Sequence, residues 1–261
     1  MTCRLGLIIL ALSALFTLPM TALAQKAPPA DKLPTAEQIT DVLDDLYRSK
    51  SSHSTVTMTV VNDRGTRKLT LEQWSKGEDD ALIVIRKPAR EAGTATLMTD
   101  DGLWNYAPRA DRLIRIPTGL LSGAWMGSHF TNDDLVRETS YADDYATKVS
   151  WGELDGNKAV KVVMTPSPDA PVIYTRIDFY VRPGDFVPLR ADYFDDGKLM
   201  RRMEFKDIKT VDGRPIPHTM ELIPMDKKGE KTVMHYESLE FDIPVDDDIF
   251  SKRGLRRVAK R

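Results

Sequence analysis

The sequence contains almost no cysteine. Cys3 is the single cysteine among 261 residues, so the chain cannot form an internal disulfide. Cys3 also lies in an N-terminal segment that we expect to be cleaved off, and the remaining chain would then have no thiolate nucleophile. The composition therefore excludes a disulfide-stabilised scaffold and a thiol-dependent enzyme.

Metal and phosphate motifs are also missing. His53, His218 and His235 have no His, Asp or Glu neighbour at the spacing of a known metal motif. The acidic run at 246–248 lacks the glycine-containing loop and the distal glutamate of a calcium-binding EF-hand. No glycine-rich segment has the pattern of a phosphate-binding loop. We therefore expect neither a metal ion nor another cofactor.

The chain has no strong net charge. Its 37 Lys and Arg against 39 Asp and Glu give a formal charge of −2, which gives no indication of nucleic-acid binding. The distribution is uneven, because six of the ten residues of a basic tail at 252–261 are Lys or Arg. Such a tail could contact anionic lipid headgroups or an acidic partner. The simpler expectation is a frayed, solvated end.

Residues 1–24 have the pattern of a cleavable secretory signal peptide. Arg4 supplies the positive charge, an apolar stretch runs from Leu5 to Leu18, and Ala22-Leu23-Ala24 forms a small-residue cleavage site. Pro19 and the short apolar stretch disfavour the alternative of an uncleaved membrane anchor. We therefore expect an exported protein that resides in the periplasm.

The first predicted element after a flexible, Pro- and Ala-rich leader at 25–34 is an amphipathic helix over 36–47. Thr35 can cap this helix, and Gln38 three residues later completes a capping box. The apolar residues follow helical spacing: Ile39, Val42, Leu43, Leu46 and Tyr47. Their common face must cover another part of the fold.

The rest of the chain has the alternation that is typical of β-strands. Val56, Met58 and Val60 alternate with threonines, and residues 81–85 are apolar at every position, as in a strand covered on both faces. Turn sequences recur at 183–185, 196–197, 212–213 and 228–229. This pattern predicts a meander of long antiparallel strands, and the lack of a βαβ pattern argues against a parallel sheet.

A long meander must hide one face and protect its edges. With one clear helix available, the pattern predicts a mainly β (α+β) fold in a single domain over 35–251. In this fold a curved antiparallel sheet forms an open half-barrel, and a helical lid covers an apolar cavity.

The stretch GAWMGSHFTNDDL at 123–135 could be a catalytic cluster or an apolar segment before a helix. Thr131 and Asp134 fit a helix cap, and Phe130 and Leu135 have the spacing of a hydrophobic staple. Ser128 is not in a Gly-x-Ser-x-Gly elbow. Catalysis at this stretch is therefore disfavoured. The apolar residues of the preceding loop either plug the domain or contact an apolar ligand, and the sequence leaves both alternatives open.

Three segments resemble outer-membrane lipoprotein-sorting proteins. DGLWNYAPRADRLIRIP at 101–117 is similar to their Trp-x-Tyr-x-Pro segment, GSHFTNDDL at 127–135 to their Gly-Ser-x-Phe motif, and the stretch 188–222 to their long hairpin. The resemblance is to the periplasmic branch related to the Lol-type carrier, which often accompanies lipid-exporting permeases. It implies an open β-barrel with a helical lid, a cavity for acyl chains, no enzyme activity and no cofactor.

The sequence thus predicts a monomeric periplasmic carrier for lipid or lipoprotein acyl chains, with an inner-membrane lipid-exporting permease as a possible partner and transient contact with a membrane surface. The alternatives are an accessory or sensor subunit that carries nothing and a hydrolase that uses His129 or His218. The residues expected to line or gate the cavity are Trp74, Trp104, Leu120, Leu121, Trp125, Met126 and Phe130.

Overall fold

The computed structural model describes residues 31–260 except 48, 78, 133, 135–140, 169 and 171. The predicted signal peptide at 1–24 and most of the predicted leader lie outside the described residues. The strands are β1 (Ser51–Asn62), β2 (Gly65–Lys76), β3 (Asp80–Lys87), β4 (Ala95–Thr99), β5 (Gly102–Ala107), β6 (Arg112–Arg115), β7 (Tyr145–Leu154), β8 (Asn157–Pro166), β9 (Arg176–Val181), β10 (Pro188–Asp195), β11 (Lys198–Val211), β12 (Arg214–Pro224) and β13 (Lys231–Phe241). The helices are α1 (Ala36–Asp45), α2 (Tyr141–Asp144) and α3 (Lys252–Ala259), and short 3-10 turns occupy Pro108–Ala110, Thr118–Leu120, Trp125–Gly127 and Asp247–Phe250.

The described strands form one antiparallel sheet in the order β6-β5-β4-β3-β2-β1-β13-β12-β11-β10-β9-β8-β7. Each strand therefore pairs with its neighbour in sequence, and the single non-sequential pairing joins β1 to β13. β6 and β7 are the two edges and do not pair with each other, so the sheet stays open. The predicted open antiparallel sheet and the absence of parallel pairing are confirmed.

Tight two-residue turns join the long strands. Asp196 and Gly197 have φ values of 45° and 76°, and Asp212 and Gly213 have 48° and 79°. Positive φ at both central residues is the geometry whose twist matches an antiparallel hairpin, and Asp-Gly tolerates it well. The predicted turns at these two places are confirmed.

Helix α1 covers the face of the sheet that we call the inner face, which carries Val56, Met58 and Leu69 in a buried cluster with Ile39 of the helix. The predicted capping box is present, because the backbone N–H of Gln38 donates to Thr35 Oγ1 at 3.2 Å and the Thr35 N–H donates to Gln38 Oε1 at 3.0 Å.

Tyr47 extends this cover beyond the helix. Its ring stacks on Tyr236 of β13 at 5.1 Å, and its hydroxyl donates to the Pro217 carbonyl oxygen at 2.8 Å. Burial raises the pKa of both tyrosine hydroxyls. The lid is therefore tied to β12 and β13 by one aromatic contact and one hydrogen bond.

The opposite, outer face is covered near one edge by α3. Leu82 and Val84 of β3 pack there with Leu255 and Val258, while Ile85 belongs to the inner cluster. The predicted two-sided cover of residues 81–85 is thus confirmed.

The expectation of a frayed, solvated basic tail is wrong. Ser251 caps α3 by accepting the Gly254 N–H at 2.9 Å, and Leu255 is 0% exposed. The reason is an apolar stripe at helical spacing (Leu255, Val258 and Ala259), which the high charge of this segment conceals. Among the described residues, no helix combines the length and apolar character needed to cross a membrane.

Candidate functional site

The segment between β6 and α2 contains the stretch that the sequence marked for either catalysis or apolar contact. We call residues 118–132 the gate segment. It folds back on itself, since Ala124 bridges to Thr131 and the Trp125 N–H donates to the Phe130 carbonyl at 2.8 Å. The turn between them places Met126 and Gly127 at φ 48° and 66°. The gate segment is therefore a small hairpin that is not hydrogen-bonded into the sheet as a strand.

Three predicted residues of the gate segment meet at the inner face. Trp125 and Phe130 are 1% and 7% exposed and belong to the inner cluster, and half-buried Met126 packs against it. The Trp125 indole N–H donates to Thr96 Oγ1 of β4 at 3.1 Å. The gate segment thus inserts two aromatic side chains into the inner core and fixes one of them by a hydrogen bond.

The other predicted lining residues do not join this group. Leu120 is 58% exposed, and Leu121 is half-buried outside the two buried clusters of the described residues. Trp74 and Trp104 lie on the outer face, in one cross-strand row with Leu82 and Leu97. They cannot line an inner cavity together with Trp125, because alternate residues of a strand point to opposite faces.

His129 attaches the gate segment to β13. Its backbone N–H donates to Thr232 Oγ1 at 3.1 Å, its Nδ1 lies 2.8 Å from the same oxygen, and its Nε2 lies 2.9 Å from Glu230 Oε2. The hydrogen bond from His129 lowers the pKa of the Glu230 carboxyl.

This row of hydroxyl, imidazole and carboxylate gives no support to the hydrolase alternative. Thr232 is 0% exposed, so its hydroxyl cannot reach a substrate in this arrangement. Ser128 is also buried, and its hydroxyl donates to the Trp125 carbonyl at 2.8 Å. His218 is buried with Nδ1 at 3.1 Å from the Ile216 carbonyl oxygen. These groups serve the packing of the gate segment and of β12.

An ion pair follows the gate segment. Asp134 accepts two hydrogen bonds from the Arg201 guanidinium of β11, at 2.7 and 2.6 Å. Arg201 is 5% exposed, and its guanidinium lies 4.7 and 4.4 Å from the rings of Tyr174 and Tyr193. Burial disfavours the charged guanidinium, but Asp134 outweighs burial and raises the pKa of Arg201.

The predicted cap at Thr131 is present as hydrogen bonds. Thr131 N–H donates to Asp134 Oδ2 at 2.8 Å, and Asp134 N–H donates to Thr131 Oγ1 at 3.2 Å. Asp133, Leu135 and the helix expected after them lie outside the described residues. Arg201 was missed by the sequence analysis, although a charged residue in the same alternation as buried Met203 was a usable signal.

An apolar cavity was expected between the lid helix α1 and the inner face of the sheet, but side chains fill this space. In the described residues, the inner face is occupied by the protein's own side chains, with Val56, Met58 and Leu71 each 0% exposed. A cleft of about 530 Å³ lies instead near α3, where charged residues (Asp80, Asp100, Asp101, Asp247, Lys252 and Arg253) and the apolar Leu97 and Phe250 line it together. The described residues contain no cluster of three or more His, Cys, Asp or Glu that could hold a metal ion.

Comparisons with known proteins agree with this architecture. A family model described as an uncharacterized protein matches residues 77–257. The chain belongs to this family. No curated protein sequence matches the chain.

Three solved structures share the fold of this chain. A DUF1329 family protein from Desulfovibrio piger has a TM-score of 0.75 and 24% identity over 83% of this chain and 96% of its own. A candidate outer membrane lipoprotein-sorting protein domain from Vibrio parahaemolyticus has a TM-score of 0.72 and 22% identity over 84% and 98%. A LolA superfamily protein from Nitrosomonas europaea has a TM-score of 0.70 and 23% identity over 85% and 99%. The resemblance to lipoprotein-sorting proteins is thereby confirmed at the level of the fold.

Proposed function

We propose that this protein is a periplasmic carrier for the acyl chains of lipids or lipoproteins. The observation that carries the proposal is the gate segment, which lies outside the sheet yet fills the inner core with Trp125 and Phe130. An acyl chain would displace these two side chains and take their place against the inner face. The structure then corresponds to the closed, unloaded state of the carrier.

The contacts of the gate segment suit a hinged movement. Its middle is held by the hydrogen bond between the neutral side chains of Trp125 and Thr96 and by the contacts of His129 with Thr232 and Glu230. Its C-terminal side is followed by the buried ion pair of Asp134 and Arg201. Separating a buried pair is far more costly than exchanging neutral hydrogen bonds with water. The ion pair is therefore the fixed anchor, and the hairpin before it is the part that moves.

The energies set a minimum length for the ligand. Withdrawing Trp125 and Phe130 from the core costs about 5 kcal/mol, at roughly 2–3 kcal/mol for each large apolar side chain. The four polar contacts, one from Trp125 and three from His129, add about 1 kcal/mol each. A buried methylene contributes about 0.8 kcal/mol, so about eleven methylenes are needed to balance the opening. A palmitoyl chain exceeds this length, whereas an octanoyl chain does not reach it.

The fold likeness to structures named for lipoprotein sorting supports a carrier, and the signal-like residues 1–24 support export to the periplasm. An inner-membrane lipid exporter is a suitable donor for such a ligand. The filled inner face favours the second candidate, a non-catalytic accessory or sensor subunit that docks on an exporter and carries nothing. The two functions differ in whether lipid is bound.

The test is mass spectrometry of organic extracts from protein purified out of its native periplasm, followed by titration with fluorescent acyl probes. The carrier predicts bound lipid and binding of a palmitoyl but not an octanoyl probe. Trp125→Ala should bind the octanoyl probe as well, because part of the space is already vacated. Trp151→Ala is the matched control, since Trp151 is 37% exposed on the edge strand β7. No extracted lipid and no palmitoyl binding would leave the accessory subunit.

A further inference from the structure

A basic surface surrounds the C-terminal end of α3. We call Arg90, Arg109, Arg256 and Lys260 the basic patch. They come from three separate parts of the chain: the loop after β3, the 3-10 turn after β5, and the C-terminal end of α3.

Direct contacts join these three parts of the chain. Arg109 Nη2 donates to the Arg90 carbonyl oxygen at 3.0 Å, which ties the turn to the loop. A β-carbon placed on Gly93 would lie 2.9 Å from the Ala259 carbonyl oxygen and 3.4 Å from Pro108, so loop, turn and helix meet there. Arg256 Nε lies 3.7 Å from Asp111 Oδ1. The basic patch is thus one continuous surface.

The cations of the basic patch outnumber its acids. The carboxylates that contact it are Asp111, which accepts the Tyr106 hydroxyl at 2.7 Å, and Glu91, which lies 3.3 Å from Arg90 and also pairs with Arg67 at 2.8 Å. Arg90 and Arg256 each lie near one of these carboxylates, whereas Arg109 and Lys260 are exposed and form no ion pair with the described residues. These two positive charges therefore face solvent without neutralisation.

Helix stability alone does not account for this arrangement. Arg256 and Lys260 at the C-terminal end of α3 complement the negative end of the helix dipole. Arg90 and Arg109 belong to other elements, the loop after β3 and the 3-10 turn after β5. Their convergence on the same surface indicates a negatively charged partner.

We propose that the basic patch docks the protein on an anionic membrane surface. The exposed residue beside Arg109 is the small Ala110, and protein partners are generally held by buried aromatic or aliphatic anchors. A flat group of cations without such anchors matches a layer of phosphate headgroups, to which each Lys or Arg adds about a fivefold gain in affinity.

This docking would place the gate segment beside the membrane. Glu91, in the same loop as Arg90, pairs with Arg67, and Arg67 Nη1 lies 3.2 Å from the position of a β-carbon on Gly127 in the gate segment. If the protein is a carrier, this docking says where its gate segment would open. The docking itself does not depend on the carrier function, since it can be measured without an acyl ligand.

The experiment is co-sedimentation of the purified protein with vesicles of phosphatidylcholine, with or without phosphatidylglycerol, at low and physiological salt. We expect binding only to the anionic vesicles, weakened by salt. The double variant Arg109→Glu/Lys260→Glu should bind at least about twentyfold more weakly, from about fivefold per cation removed. The control Lys148→Glu/Lys198→Glu makes the same charge change at exposed positions on β7 and β11, away from the basic patch, and should keep most of the binding.

Circular dichroism and palmitoyl binding are measured on the same variants. Loss of vesicle binding with normal folding and normal palmitoyl binding supports the docking surface and separates it from the carrier function. Equal binding to neutral and anionic vesicles, or equal loss in both double variants, would overturn it. Binding to polyglutamate but not to vesicles would also overturn it, because the partner would then be an acidic protein.

Discussion

Replacing Asp134 by Asn tests the assignment of the buried ion pair as the anchor of the gate segment. The change removes the charge that faces Arg201 but keeps a side-chain oxygen that can accept the Thr131 N–H. The Arg201 side chain is 6% exposed and the Asp134 side chain 11%. The variant therefore leaves a buried guanidinium without a carboxylate.

Removing one partner of a buried pair costs about 3–5 kcal/mol. Tyr174 and Tyr193 lie within 4.7 Å of the guanidinium and continue to stabilise it, each by roughly 0.5–2 kcal/mol. We therefore expect Asp134→Asn to lower the free energy of unfolding by about 3 kcal/mol, at the lower end of that range.

The assay is urea unfolding followed by tryptophan fluorescence. Adding Arg201→Met to Asp134→Asn should restore about 1–2 kcal/mol, because the uncompensated charge is gone. The control Asp155→Asn removes a surface partner of Arg190, whose contact is 3.4 Å and whose carboxylate is 77% exposed, and should change stability by less than about 1 kcal/mol. A loss below about 1 kcal/mol for Asp134→Asn, or a double variant no more stable than the single one, would refute the reasoning.

Three further predictions concern α3, acid stability and the gate hydrogen bond. Leu255→Ala should lower the free energy of unfolding by about 2–4 kcal/mol in a urea titration, since the Leu255 side chain of α3 is 0% exposed. If the C-terminal segment were frayed and solvated, this substitution would leave the free energy of unfolding unchanged. The Glu230 pKa is lowered from its ordinary value of 4.5 by the hydrogen bond from His129, so its contribution is present above that value and is lost as pH falls through the folded pKa. Glu230→Gln should therefore flatten the loss of stability below about pH 4.5, and an unchanged acid profile would contradict the pairing. Trp125→Phe and Thr96→Val both remove the hydrogen bond between the Trp125 indole and Thr96 Oγ1, which contributes about 1 kcal/mol to stability. Thr96→Val also removes the bond from Thr96 Oγ1 to Asn105 Oδ1 and should therefore cost more. The double variant should lose about 1 kcal/mol less than the sum of the two single losses, and strictly additive losses would contradict the shared bond.

Local chemistry made much of the fold predictable from the sequence. The capping residues Thr35 and Gln38, the Asp-Gly turns and the two-sided apolar run at 81–85 each have one favoured geometry, and the structure shows all of them. Helix α3 was missed because its three apolar residues are outnumbered by Lys and Arg, so composition concealed the spacing. A short helix with few apolar positions depends on its tertiary contacts, which the sequence does not display.

The candidate site was predictable only in part. The grouping of Trp125, Met126 and Phe130 follows from their closeness in the chain, and the structure brings them to one cluster. Trp74 and Trp104 are large apolar residues of the kind that line cavities. Their positions in β2 and β5, however, place their side chains on the outer face of the sheet. The register that decides this is set by pairing between distant strands, and a shift of one residue would reverse it.

The most direct test of the carrier account is a reversible lock on the gate segment. Cysteines in place of His129 and Thr232, whose backbone N and Oγ1 lie 3.1 Å apart, would be oxidised to a disulfide in a Cys3→Ser background. The account predicts that the oxidised protein fails to bind a fluorescent palmitoyl probe and that reduction of the same sample restores binding. Equal binding by the oxidised and reduced forms would contradict the claim that acyl chains enter by moving the gate segment.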